Sequence, residues 1–109
     1  MPAMQHIVLF HFPAEPGTDE VAALYGHVRT LLERIPGIRS CHVGRDVSGR
    51  AGPYQYALVM EFVDEAALRA YQPHPVHQEV VRWLRDHGVE LLAFDFPLTP
   101  DNDLGGSRV

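Results

Sequence analysis

The chain begins with a strand-like segment, residues 4–12, that is apolar on both of its faces. One face carries Met4, His6, Val8, Phe10 and Phe12, and the other carries Gln5, Ile7, Leu9 and His11. A strand of this kind must be covered from both sides, because exposed apolar surface of that size is rare on a soluble monomer. This requirement favours folds in which a sheet is buried between two layers.

Segments with helix or strand periodicity follow in the order of a βαββαβ unit. We expect Thr18 to cap the first helix. The apolar face of that helix is formed by Val21, Leu24, Val28, Leu31, Leu32 and Ile35. Further strands are predicted at residues 38–47, 54–62 and 89–96, and helical segments at 65–71, capped by Asp64, and from Pro75 to His87. This order predicts an α+β, ferredoxin-like fold, with a four-stranded antiparallel sheet and its helices on one face.

Helices on one face leave the other face of such a sheet bare, although the first, third and fourth strands carry apolar residues there as well. Burying about 500 Å² of apolar surface per partner gives roughly 12 kcal/mol before the costs of association, at about 25 cal/mol per Å². We therefore predict a homodimer in which two copies pack sheet face to sheet face. The pair forms a dimeric α+β barrel.

Length, charge and cysteine content narrow the class of protein. The 109 residues suit one domain, which we assign to residues 1–98, and the polar tail 99–109 is predicted to be disordered. A net charge of −5 without a Lys/Arg cluster argues against a nucleic-acid partner. No run of about 20 apolar residues is present, so no membrane span is predicted. The single Cys41 and the lack of a secretory signal pattern predict a cytoplasmic location.

Several segments, taken in order, resemble the stress-responsive dimeric A/B barrel (Dabb) family. They are HIVLF at residues 6–10, IPGI at 35–38, Val43 and Gly44 with Asp46, and residues 57–62 followed by Asp64. The most specific segment is YQPHPVH at residues 71–77, which matches the family pattern Y-x-x-H-P-x-H. The resemblance covers roughly residues 4–97, and it implies the fold and the dimer described above.

The resemblance also implies candidate site residues. The family includes proteins without an assigned reaction and polyketide cyclases of the olivetolic acid cyclase type, which need no cofactor. By this resemblance His77 and Tyr71 are catalytic residues, and His6 is a pocket residue. Tyr56 and Val28 stand where the cyclase has a pocket histidine and a pocket tyrosine, so the same substrate is not implied.

His77 and Tyr71 have side chains that suit proton transfer. An imidazole with an ordinary pKa of about 6.5 accepts a proton near neutral pH, and a phenol stabilises a developing enolate by donating a hydrogen bond. Each residue also has a structural alternative. His77 would stabilise the bend at HPxH by hydrogen-bonding backbone carbonyls, and Tyr71 would cover the core. We expect His74, which lies between two prolines, to fix the turn.

We expect a pocket between the helical layer and the sheet around this pair. Besides His77 and Tyr71, its predicted polar members are His6 and Tyr56, and its predicted apolar walls are Val8, Phe10, Val28 and Trp83. His6 is equally compatible with a hydrogen-bonded buried histidine. Neither HExxH nor a cysteine pair is present, so no metal and no other cofactor is predicted.

The residues and the resemblance together predict a cofactor-independent small-molecule enzyme of specialised metabolism. Its expected reaction is aldol-type cyclisation, or a related acid–base lyase reaction, of a small apolar or polyketide-like carbonyl substrate. Two alternatives stay open. One is a non-enzymatic stress-responsive or small-ligand-binding protein, and the other is a cofactorless monooxygenase of the antibiotic-biosynthesis type.

Overall fold

The computed structural model describes residues 1–106 and shows one antiparallel sheet with three α-helices. The elements are β1 (Ala3–His11), α1 (Thr18–Arg34), β2 (Ile38–Arg45), β3 (Tyr56–Phe62), α2 (Glu65–Tyr71), α3 (Pro75–Asp86) and β4 (Glu90–Leu98). The strands lie in the order β2-β3-β1-β4, and every neighbouring pair is antiparallel. This topology confirms the predicted ferredoxin-like βαββαβ fold. Within residues 1–106 no helix has both the length and the apolar content needed to cross a bilayer.

The helices cover one face of the sheet, and the core lies between them and strands β1 and β3. Alternate residues of these strands are buried there, including Phe10, Met60 and Phe62. The helices contribute Leu24, Val28, Leu31, Leu68, Tyr71, Val80 and Leu84. Leu32, which was predicted to face the core, is 42% exposed instead, because it lies about 100° around α1 from the buried Leu31.

The opposite face of the sheet is apolar and uncovered in the single chain. The strand register places on it Ile7, Leu9, Ala57, Val59, Leu92, Phe94 and Phe96, which together form the bare face. Phe94 is 65% exposed and Leu92 is 51% exposed. A contiguous apolar surface of this kind is typical of a protein interface.

The first residues of α1 and α2 follow two different kinds of cap. Asp64 accepts a hydrogen bond from the backbone nitrogen of Ala67 at 2.8 Å, which confirms it as the cap of α2. The cap of α1 is Gly17 rather than the predicted Thr18, because Thr18 already has helical geometry as the first residue of the helix.

The chain after β4 begins with a 3-10 turn, Pro100–Asn102. The side-chain amide of Asn102 donates a hydrogen bond to the carbonyl of Pro97 at 2.6 Å, which ties this turn to the end of β4. The first part of the tail that was predicted to be disordered therefore has regular structure. Residues 107–109 of that tail lie outside the described residues.

The turn between α1 and β2 depends on Gly37. Its φ is +89°, a region that L side chains rarely adopt, and its carbonyl accepts a hydrogen bond from the backbone nitrogen of Val63 at 2.9 Å. A Cβ atom added to residue 37 would lie only 2.7 Å from the Cβ of Ala67 in α2. Gly37 therefore allows the start of β2 to approach α2 closely.

We expect Gly37→Ala to lower the free energy of unfolding by about 1–3 kcal/mol, because the variant combines an unfavourable φ with the close contact to Ala67. Gly26→Ala is the matched control, since Gly26 lies inside α1 and its added Cβ meets no atom within 4 Å. The control should gain about 0.5–1 kcal/mol. Chemical denaturation measures both values. Equal stability of Gly37→Ala and the unaltered protein would show that the turn relaxes at no cost.

Candidate active site

A cavity of about 210 Å³ lies between the helices and the sheet, on the side of β4. Both layers supply its apolar walls. From the strands come Val8, Phe10, Leu58, Leu91 and Ala93, and from the helices come Leu24, Val28, Leu31, Val80, Val81 and Leu84. The residues with polar groups at the cavity are His6, Tyr71, Gln72 and His77. An apolar cavity with a few convergent polar groups is typical of a small-molecule site.

Six of the eight side chains predicted for the pocket line this cavity, namely His6, Val8, Phe10, Val28, Tyr71 and His77. Tyr56 does not line it, so its assignment to the pocket was wrong. Tyr56 is buried next to Phe12 and Tyr25, whose ring centroids each lie 6.3 Å from its own. It shares a strand face with Leu58 but lies two residues earlier, where the core is closed by these rings.

Trp83 also lies outside the cavity, and its prediction as a pocket wall was wrong. It packs instead between His27 of α1 and His87, at ring-centroid distances of 4.9 Å and 4.4 Å. Its neighbours Val80 and Leu84 do line the cavity. Because successive helical residues are about 100° apart, Trp83 lies on the flank of α3 next to α1 rather than on the sheet side.

Tyr71, the last residue of α2, is 2% exposed. Its ring centroid lies 4.3 Å from that of His77 and 5.7 Å from that of His6. Burial raises the pKa of Tyr71 well above its ordinary value, and the nearby Cys41 and Asp95 raise it further. The phenol therefore keeps its proton across the physiological pH range and acts as a hydrogen-bond donor.

The break between α2 and α3 orients His77. The carbonyl of Gln72 has no helical partner, because the backbone nitrogen of Val76 donates to the ring of His74 instead, at 3.1 Å. The ring of His77 donates to this carbonyl in place of the Val76 backbone nitrogen, with Nδ1 at 2.9 Å from the Gln72 oxygen. The predictions that His74 fixes the turn and that α3 begins at Pro75 are confirmed.

This hydrogen bond determines which nitrogen of His77 is the base. A carbonyl oxygen only accepts, so Nδ1 carries the proton and Nε2 keeps its lone pair. Partial burial lowers the pKa of His77 below its ordinary value of 6.5. The hydrogen bond to Gln72 opposes this shift, and His6 and His74 add to it. The imidazole is therefore neutral at pH 7, and its Nε2 is able to accept a proton.

His6 has a partner that the sequence interpretation missed. The imidazole is 3% exposed, and its Nδ1 is hydrogen-bonded to the carboxylate of Asp95 on β4. The two residues lie opposite each other in the register of β1 and β4. The available signal was an acidic residue between Phe94 and Phe96, in the apolar stretch that follows Glu90. Only the strand register shows which side chain that acid meets.

The cavity offers acid–base groups. Within residues 1–106, no three His, Cys, Asp or Glu side chains are grouped so that they could hold a metal ion. The imidazoles of His6 and His77 and the phenol of Tyr71 instead supply proton acceptors and donors within one apolar space.

Sequence comparison relates the chain to one family. The family model described as Stress responsive A/B Barrel Domain matches residues 4–98. An uncharacterized protein of Streptomyces coelicolor is 30% identical over 92 residues, which cover 83% of this chain and 95% of that protein.

Solved structures share the same fold. A dimeric ferredoxin-like protein of unknown function from Thermobifida fusca is 28% identical, with a TM-score of 0.75 over 89% of this chain and 92% of that chain. A hydroxynitrile lyase from Passiflora edulis is 14% identical, with a TM-score of 0.80 over 91% and 95%. A variant of a cofactor-independent oxygenase from Streptomyces nogalater is 15% identical, with a TM-score of 0.70 over 90% and 94%. Since the family model spans nearly the whole domain, this chain belongs to the stress-responsive A/B barrel (Dabb) family.

Proposed function

We propose that this protein is a cofactor-independent acid–base enzyme that cyclises a small polyketide-like carbonyl compound by aldol condensation. The observation that carries the proposal is the pairing of a neutral imidazole, His77, with a protonated phenol, Tyr71, on the wall of an apolar cavity. A lyase and a cofactor-independent oxygenase among proteins of this fold are in keeping with small-molecule chemistry. The single Cys41 favours a cytoplasmic location for the reaction.

The reaction begins with the removal of a proton from a carbon that lies between two carbonyl groups. His77 accepts this proton at Nε2, and the electron pair of the C–H bond moves into an enolate. The hydroxyl of Tyr71 donates a hydrogen bond to the enolate oxygen and stabilises its charge. The enolate carbon then bonds to a more distant carbonyl carbon of the same chain and closes the ring. The alkoxide formed there takes up a proton, and loss of water with enolisation of the remaining ketones gives the aromatic ring.

The cavity limits the size of the substrate. An apolar cavity of about 150 Å³ binds benzene, so the cavity of about 210 Å³ accommodates one six-membered ring with small substituents. Its walls are mostly apolar, and a hydrogen bond from Tyr71 to the enolate is stronger in such surroundings than in water. We therefore expect a short-chain substrate without a long alkyl tail.

A linear tetraketide acid, built from four acetate units, is a probe that fits these limits. Incubation with the protein should give the methyl-substituted dihydroxybenzoate faster than buffer alone, as measured by liquid chromatography with mass spectrometry. Water is the only other product, so oxygen consumption would point to the monooxygenase alternative. Binding of the probe without any cyclised product would point to the ligand-binding alternative.

The assembly that we propose is a homodimer joined through the bare face. Phe94 and Leu92 of this face are more than half exposed in the single chain, and the structural relative from Thermobifida fusca is dimeric. A second copy packed there removes this apolar surface from water. His6 and Tyr71 lie on the helix-covered side of the sheet, so each copy keeps its own cavity.

We expect Tyr71→Phe to lower the rate of tetraketide cyclisation by about tenfold or more, because the variant loses the donor to the enolate oxygen. The phenylalanine ring keeps the aromatic packing against His77, so the free energy of unfolding should change by less than about 1 kcal/mol. Parallel measurements of rate and of chemical denaturation separate the two effects. A variant with full activity would show that the hydroxyl does not act on the substrate.

The lowered pKa of His77 predicts that the acid limb of the kcat/KM profile lies below pH 6.5. Burial disfavours the imidazolium, so the base stays neutral as the pH falls through 6.5 and is lost only at lower pH. The unfolded chain takes up this proton more readily, so the same shift makes the folded protein lose stability as the pH falls below 6.5. Rates and unfolding free energies measured across pH test both statements. An acid limb above pH 6.5 would contradict the lowered pKa of His77, from which both statements follow.

A further inference from the structure

His6 and Asp95 form a pair that faces the same cavity as His77 and Tyr71. The imidazole is 3% exposed, and the carboxylate that bonds to its Nδ1 belongs to a side chain 34% exposed. The ring of His6 lies edge-on to that of Tyr71, with centroids 5.7 Å apart and an interplanar angle of 69°. Two imidazoles therefore flank one phenol at the wall of one cavity.

The carboxylate of Asp95 determines which nitrogen of His6 exchanges a proton. An ionised carboxylate only accepts hydrogen bonds, so Nδ1 carries the proton and Nε2 is the remaining site of proton exchange. The carboxylate also balances the positive charge that the imidazole acquires when Nε2 takes up a proton. A histidine held in this way is preorganised to give or take a proton at Nε2 alone.

We infer that His6 is a second acid–base residue of this cavity and that Asp95 is its positioning residue. The inference rests on the proposed aldol reaction and deepens it by assigning the group that protonates the attacked carbonyl. It also defines the substrate class. The substrate must hold one carbonyl beside the carbon that loses its proton to His77, and a second carbonyl whose oxygen accepts a proton from His6.

Protons and electrons balance across the two histidines. His6 enters this step as the imidazolium, with protons on both ring nitrogens and Asp95 as its counter-charge. When the enolate carbon bonds to the attacked carbonyl carbon, the π electron pair of that carbonyl moves to its oxygen, which takes the proton from Nε2 of His6. His77 has gained one proton from carbon and His6 has lost one, so the charge of the protein does not change. Tyr71 donates to the enolate oxygen during this step. Proton exchange with water then returns both histidines to their starting states.

The groups that face His6 come from several elements. Asp95 lies on β4, Tyr71 ends α2, and His77 lies on α3, while Phe62 of β3 packs against the ring at 5.9 Å. In the part of the chain that the structure describes, Asp95 is the one carboxylate bonded to this ring. Replacing Asp95 therefore removes the carboxylate partner of His6 and keeps the other groups around the ring.

Asp95→Asn tests the pair while keeping the shape of the side chain. The amide presents either an oxygen or an NH2 group to Nδ1, so it no longer fixes the tautomer, and it carries no charge. We expect kcat for the linear tetraketide to fall by about tenfold or more, with little change in KM. Asp95→Glu, which retains a carboxylate, should restore part of the rate.

Glu90→Gln is the matched control, because Glu90 pairs with His11 across the same two strands at 3.1 Å but on the other face of the sheet. This variant should keep the kcat of the unaltered protein. A second measurement needs no substrate. Nitrogen NMR of the neutral His6 ring in alkaline buffer should find the proton on Nδ1 in the unaltered protein. In Asp95→Asn it should find a mixture of two tautomers, one with the proton on Nδ1 and one with the proton on Nε2.

The outcomes separate this inference from the proposed function. If His77→Ala is inactive but Asp95→Asn keeps the normal kcat, the pair of His6 and Asp95 takes no part in the reaction. The inference is then overturned, and the proposed function stands. A His6 ring that carries its proton on Nε2 in the unaltered protein overturns the positioning role of Asp95. If the unaltered protein does not cyclise the tetraketide, the proposed function fails, and the role of His6 fails with it.

Discussion

Replacing His77 with alanine is expected to lower the turnover of the linear tetraketide by about 100-fold or more, the lower end of what a positioned acid or base contributes. The variant removes the imidazole whose ring centroid lies 4.3 Å from that of Tyr71, at an interplanar angle of 46°. The Gln72 carbonyl holds this imidazole with its proton on Nδ1. Water then has to accept the proton from carbon without being positioned to do so. Chromatographic measurement of ring formation under saturating substrate gives the change in kcat.

His87→Ala is the matched control for this variant. His87 caps the end of α3 and packs on Trp83, outside the cavity, so we expect full activity from its replacement. The fold of His77→Ala should be preserved, because the side chain of Gln78 also donates to the Gln72 carbonyl, at 2.8 Å. Full activity in His77→Ala would refute the assigned base. Activity of the unaltered protein that EDTA abolishes would point to a metal-dependent reaction instead.

Phe94→Asp is expected to separate the proposed dimer into monomers. Phe94 is 65% exposed in the single chain and lies opposite Ile7 on the bare face. A partner packed on this face would bury an unpaired carboxylate, which costs several kcal/mol per ion. Light scattering at micromolar concentration should give 12.2 kDa for the variant and twice that mass for the unaltered protein.

Val47→Asp is the control for the added charge. Val47 is 98% exposed in the connection between β2 and β3 and does not belong to the bare face, so this variant should remain dimeric. A dimeric Phe94→Asp would show that the copies meet through another surface. A monomeric unaltered protein under the same conditions would show that the bare face has no partner copy.

Local patterns in the sequence were enough to determine the elements, and the family resemblance of residues 71–77 indicated one part of the candidate site. Strand alternation and helix periodicity depend on neighbouring residues, so the order βαββαβ, the cap at Asp64 and the start of α3 at Pro75 were predictable. Tyr71 and His77 lie within one seven-residue segment, whose prolines and His74 fix the backbone between them. The proximity of this pair therefore follows from local geometry.

The tertiary structure alone decided which distant side chains meet. His6 and Asp95 are 89 positions apart, and only the register of β1 and β4 brings them together. Trp83 belongs to the same apolar stripe of α3 as the cavity-lining Val80 and Leu84. The packing of α3 beside α1 nevertheless places the Trp83 ring against His27. The cavity and the direction of the pKa shifts also depend on burial by the whole fold. Sequence periodicity says which face of an element is apolar, whereas strand register and helix packing decide what that face touches.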